Sequence, residues 1–155
     1  MEDALFWLKN NLFRKAAMRQ YKRAILSDIL SDEELNNINW MKRKAIVMHA
    51  YNHSLFYKHF YDDHHFNPSM LQKEADWDIV PILEKKDVRT FREEIKDSSI
   101  SQKQVGIATT GGSTGMPLKV YIDKRFHFEI LGWRAFRWWG VSPADHVGII
   151  HRSVP

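Results

Sequence analysis

The stretch Val105–Asp123, VGIATTGGSTGMPLKVYID, governs how this chain is expected to fold. Seven consecutive residues, Thr109 to Gly115, are Thr, Gly or Ser, and an apolar run lies on each side. The upstream run, QVGIAT, is short and carries Val and Ile, which reads as a strand. Downstream, Leu118, Val120 and Ile122 alternate with Lys119, Tyr121 and Asp123, which is strand periodicity. Beyond the second strand, Asp123 is predicted to cap a helix over 124–139, with Gly140 as the residue that ends it. That helix carries Phe126, Phe128, Trp133, Phe136, Trp138 and Trp139, read as core or as a helix–sheet interface. His146–Ile150, HVGII, is a third strand candidate. The alternation of helix and strand in this half points to an α/β sheet.

Upstream, the pattern is helical. Residues 4–26 contain no Gly or Pro and read as one helix, with Lys9, Arg19 and Arg23 close to its apolar face. A basic helix of this kind can lie on a membrane surface; packing against the rest of the protein is the expectation here. Ser31 with Glu34 forms a capping box, opening a helix that runs to about Tyr61 with a break near Asn36–Asn39. Asn67-Pro68-Ser69 opens a loop or short helix. A helix over about 85–96 buries Val88, Phe91 and Ile95 and turns Lys86 and Glu93 to solvent. The expected organisation is a helical region over 1–97, then the first strands, loop and helix of a sheet-based domain over 98–155.

With 155 residues the chain is long enough for one domain with a sizeable core. At 44% hydrophobic and 13% aromatic it is too apolar to be disordered. A net charge of +4 fits an anionic small ligand, nucleic acid or a membrane surface, and selects none of them. The absence of cysteine excludes disulfides, Cys-ligated zinc and a cysteine nucleophile. No apolar run approaches the roughly 18 residues of a membrane span. Acidic residues open the N-terminus, and Lys9, Arg14 and Lys15 interrupt it, so it does not read as a signal peptide. A cytoplasmic protein is expected. A partly uncovered face on the aromatic helix predicts poor solubility or a homo-oligomer.

A Gly/Ser/Thr loop between two strands has the chemistry to hold phosphate. Gly111, Gly112 and Gly115 permit positive φ and close backbone approach. Their N–H groups can converge on an anion. Thr109, Thr110, Ser113 and Thr114 add hydroxyl donors. Pro117 fixes the exit into the next strand. The loop is not a Walker A motif, because Gly112 follows Gly111 where that motif needs Lys. Nor is it a dinucleotide fingerprint, which must run into a helix. On composition alone, a plain hairpin connection is equally open.

The order of residues goes further. Thr110, Gly112, Ser113, Thr114, Gly115 and Pro117 resemble the phosphate-binding loop of the adenylate-forming enzymes, the family of acyl-CoA synthetases, aryl-CoA ligases and luciferase. Gly111 departs where that family has Ser, and Met116 stands where Lys is usual. Upstream, His53, Ser54, Tyr57, Pro81, Leu83, Lys85, Asp87, Val88 and Arg89 resemble the phenylacetate–CoA ligase branch, with its capsular-polysaccharide-biosynthesis relatives. The resemblance spans about residues 45–150. It implies the start of the mixed β-sheet core of an adenylate-forming large domain. It also implies ATP with Mg²⁺, a carboxylate substrate, and CoA or another acyl acceptor. Thr110, Gly111, Gly112, Ser113, Thr114 and Gly115 become the nucleotide-binding candidates. The family's adenine- and metal-binding motif, its ribose-binding Asp and its catalytic Lys have no counterpart in these 155 residues. The expectation is an N-terminal piece of an AMP-forming ligase, inactive by itself, with no catalytic residue of its own.

Other patterns carry less. His49 and His53 have the i, i+4 spacing of metal ligands, and Asp62, Asp63, His64 and His65 follow. No Glu adjoins His49 to make a metalloprotease motif, and structural histidines are expected, with no metal site. Ser113 lacks the Gly-x-Ser-x-Gly context of a hydrolase nucleophile. The rival reading is a non-catalytic interaction or binding module that uses the loop only as a turn. Single-stranded nucleic-acid binding is disfavoured, because the aromatics follow helical spacing and not strand alternation.

Overall fold

A computed structural model of the chain describes residues 2–110, 117–146 and 148. Nine longer elements appear among them. In chain order they are α1 (Glu2–Phe13), α2 (Lys15–Leu26), α3 (Asp32–His53), α4 (Leu55–Asp63), α5 (Lys85–Thr90), α6 (Arg92–Ile95), β1 (Val105–Thr109), β2 (Lys119–Asp123) and α7 (Glu129–Trp138). Short 3₁₀ turns join several of them. The protein is thus mostly helical with one small antiparallel sheet, an architecture compatible with part of an α/β domain. The expected third strand at 146–150 rests on Val147, Ile149 and Ile150, which lie outside the described residues. Among the described residues, no helix is long and apolar enough to cross a membrane. Contacts divide the chain into two units, Met1–Leu30 with Phe126–Pro155, and Ser31–Arg125.

The first unit is built from α1, α2 and α7. The single helix expected over 4–26 is two helices, because Arg14 leaves helical geometry at φ −123° and ψ 45°. The bend lets α1 fold against α2, so the Trp7 and Tyr21 rings stack at 5.4 Å. In a straight helix those residues would lie about 21 Å apart. Arg14 is held at the bend from three sides. It donates to Asn10 Oδ1, pairs with Glu129 and lies over the Trp133 ring. The core joins Ala17, Met18 and Tyr21 of α2 to Ile130 of α7, with Trp7, Ile25 and Trp133 packed around them. Lys9, Arg19 and Arg23 are all exposed, and the apolar face of α2 is Ala17, Met18 and Tyr21. The predicted helix over 124–139 starts only at Glu129. Asp123 does not cap it. Its carboxylate instead accepts from the Arg125 backbone N–H and guanidinium, closing a local turn. Gly140 ends α7 as expected, at φ +73°, where glycine is favoured.

The second unit opens with the expected capping box. The Glu34 N–H donates to Ser31 Oγ, and Glu34 Oε2 accepts from the Ser31 N–H. No break occurs at Asn36–Asn39; α3 continues to His53. The interruption is at Ser54, which takes an extended conformation and caps α4, accepting from Tyr57 N–H. Likewise the helix expected over 85–96 divides at Phe91 into α5 and α6. Phe91 is 38% exposed and no residue of either helix is fully buried; Val88 and Ile95 are half-buried, with Phe91 laid on the Phe56 ring at 5.3 Å. Val47, Tyr61, Phe66 and Leu71 form the core of this unit. β1 and β2 pair antiparallel, with Val105 opposite Asp123 and Thr109 opposite Lys119.

Candidate functional site

The hairpin β1–β2 frames the loop that the sequence singles out. At its open end the Thr110 N–H donates to Leu118 C=O at 2.9 Å, and the Leu118 N–H donates to Thr110 Oγ1 at 3.1 Å. Thr110 therefore closes the ladder with both backbone and side chain. Because its hydroxyl oxygen accepts from Leu118, its own proton remains available to a further acceptor. Gly111, Gly112, Ser113, Thr114 and Gly115 lie outside the described residues. Seven residues, 111–117, connect this closing pair, whereas two suffice to reverse a hairpin. Chain reversal alone does not account for that length.

The hairpin is fastened to the helices of its own unit. The Tyr121 hydroxyl donates to Glu93 at 2.5 Å, and Arg92 and Lys96 lie over the Tyr121 ring at 5.8 and 5.6 Å. The Tyr121 hydroxyl, followed by Arg92, holds the Glu93 carboxyl below the usual carboxylate range. Behind Tyr121, Val88, Ile95, Val105, Val120 and Ile122 line a cleft of about 290 Å³. Gly106 fits there because its strand comes so close to Ile122 that an added Cβ would lie 2.9 Å from Ile122 Cγ1.

A second anchor lies just before β1. His49 Nε2 and Asp97 Oδ2 are 2.7 Å apart, and Asp97 Oδ1 accepts from the Ser99 N–H and hydroxyl. Burial pushes the Asp97 carboxyl up, but the hydrogen bonds from Ser99 and His49 outweigh it and hold the group at about 2. The Ser98 N–H and hydroxyl both donate to His53 C=O. His49 and His53, the pair with metal-ligand spacing, are thus engaged in pinning residues 97–99 to the end of α3. Among the described residues, no group of three or more His, Cys, Asp or Glu is arranged to hold a metal.

Lys119 stands three residues beyond Met116, the position where the resembled loop has its lysine. The strand register nevertheless puts it directly opposite Thr109, at the base of the loop. Both residues are exposed, and opposed residues of an antiparallel pair share a face. Lys119 forms no ion pair among the described residues. The register, once read from the alternating pattern, was the signal that could have found it. No protein-family model matches this chain, and no curated protein matches it.

Proposed function

We propose that this chain supplies the triphosphate-holding hairpin of an AMP-forming ligase. The observation that carries the reading is the closing pair Thr110–Leu118. It sets an overlong Gly/Ser/Thr loop on a paired two-stranded support. The donor set fits an anion. Residues 109–118 contain three glycines and four hydroxyls but no carboxylate, so N–H and O–H groups face acceptor-only phosphate oxygens without like-charge conflict. The loop contains no strong ligand for Mg²⁺, which would enter with ATP, held by the phosphates and water.

In the reaction, a carboxylate oxygen attacks the α-phosphorus of ATP. The bond to the β-phosphate breaks, and pyrophosphate leaves. Charge grows on that leaving group, where the loop's donors and the Lys119 ammonium would stabilise it. CoA or another acceptor then takes the acyl group and releases AMP. The loop residues position and stabilise; no proton transfer is assigned to them. The adenine, ribose and adenylation motifs are not among these 155 residues, so the activity proposed for this chain alone is phosphate binding. Such chemistry suits a cytoplasmic setting.

The test is ATP binding to this chain, measured by calorimetry. Binding that weakens in Ser113→Ala and Thr114→Ala supports the reading. ATP affinity indifferent to both substitutions overturns it and leaves an interaction module whose loop is only a turn.

A further inference from the structure

The charge of this protein is partitioned. Residues 1–30 and 126–155 hold nine Lys and Arg against five Asp and Glu, whereas residues 31–125 hold fourteen of each. The whole net charge of +4 therefore belongs to the first unit. Within it, Arg14 is paired with Glu129 and Arg134 with Asp28. Lys15, Arg19 and Lys22 are different. They are exposed, follow i, i+4, i+7 spacing along one side of α2, and form no ion pair among the described residues. With Asn11 of α1 and Met18, they line an open groove of about 220 Å³.

The outer face of α1 is apolar. Leu5, Leu8 and Leu12 recur at i, i+3, i+7 and are 65%, 57% and 56% exposed. The opposite side of the same helix supplies the buried Asn10 and the packed Trp7. Lys9, four residues after Leu5 and three before Leu12, borders the leucine stripe on one side. Asn11, three residues after Leu8, borders the other side, where it meets the cationic groove of α2. The leucine stripe thus runs between Lys9 and the cationic groove of α2.

We infer that this face docks on an anionic lipid bilayer. Leu5, Leu8 and Leu12 enter the boundary between headgroups and acyl chains, and Lys9, Lys15, Arg19 and Lys22 meet lipid phosphates. That division of labour, apolar burial plus attraction to anionic lipid, is what holds an amphipathic helix in a membrane interface. The charges disfavour the simplest rival. A two-fold contact between copies through this stripe would bring like-charged margins together. A nucleic acid would satisfy the cations but leave the three leucines in water.

The experiment is co-sedimentation of the full 155-residue chain with two kinds of vesicle. One is phosphatidylcholine alone; the other is equal parts phosphatidylcholine and phosphatidylglycerol. Partitioning onto the anionic vesicles alone, weakening as salt rises, is expected. Lys15→Glu with Lys22→Glu lowers it by about tenfold or more, and Leu8→Glu with Leu12→Glu removes it. All four positions are exposed, and circular dichroism checks that each variant keeps its helix content. The salt titration needs no variant, so it decides the matter even if one misfolds. Equal binding to both vesicles, or no binding to either, overturns the inference. So does self-association that Leu8→Glu abolishes, or retention of a single-stranded oligonucleotide at salt that releases the vesicles.

Discussion

His49 Nε2 lies 2.7 Å from Asp97 Oδ2, joining the body of α3 to the turn that leads into β1. The Asp97 carboxyl sits at about 2, below its ordinary value of 3.8. A group depressed in the folded state stabilises above its unfolded value and loses that contribution as pH falls through the folded one. The Asp97 contribution is therefore complete above about pH 4 and is lost on descending through pH 2. Asp97→Asn costs about 1 kcal/mol at pH 7, discounted for partial exposure. Urea unfolding of both proteins should show that gap closing between pH 4 and pH 2. A gap that stays constant over this range means that Asp97 is not the titrating group.

Ser54 is buried and serves two helices at once, accepting from Tyr57 N–H and donating to Glu94 C=O at 3.1 Å. Ser54→Ala leaves both backbone groups short of a partner and costs about 1–2 kcal/mol. Ser54→Gly removes the same hydroxyl but lets water reach the N–H groups at the start of α4, so it should cost less than Ser54→Ala. Thermal unfolding of both variants checks this, and a loss under about 0.5 kcal/mol in Ser54→Ala would mean that water replaces the hydroxyl there too.

Gly106→Ala forces a methyl group against Ile122 and should cost about 1–3 kcal/mol. Ile122→Ala removes the obstructing atoms. The double variant should therefore be less destabilised than the sum of the two single ones, by about 0.5 kcal/mol or more. Additive losses would show that the two strands adjust without meeting at this point.

At the loop, Thr110→Val removes the acceptor for Leu118 N–H and should cost about 1 kcal/mol. Thr110→Ser preserves it. Lys119→Gln leaves the ladder intact but should weaken ATP binding and flatten its salt dependence. Calorimetry at two ionic strengths measures this, and unchanged affinity would remove Lys119 from the phosphate site.

Local chemistry was legible in the sequence wherever partners lie close along the chain. The Ser31–Glu34 box, Gly140, and the two strands around the loop follow from propensity, capping and alternation over a few residues. The features that escaped depend on distant partners. The bend at Arg14 is held by Glu129, the break at Ser54 by Glu94 C=O, and the division at Phe91 by the Phe56 ring. Nothing within one helical turn of Arg14 or Ser54 announces these partners. Asn36–Asn39 carried a local breaker signal, yet those asparagines lie exposed on an unbroken helix, where their side chains do not compete with its backbone. For the site, Thr110 could be named from the motif, whereas Lys119 needed the strand register.

The first unit is assembled from the two ends of the sequence, with Ala17, Met18 and Tyr21 waiting for Ile130 and Trp133. During synthesis, α1 and α2 emerge about 100 residues before α7, a delay of roughly 5–20 s at ordinary elongation rates. Residues 31–125 are contiguous and can collapse in that interval. The N-terminal helices meanwhile hold Trp7 and Tyr21 without their final cover. The order of assembly is then inside first, ends last, and the closing step joins segments separated by a long intervening loop.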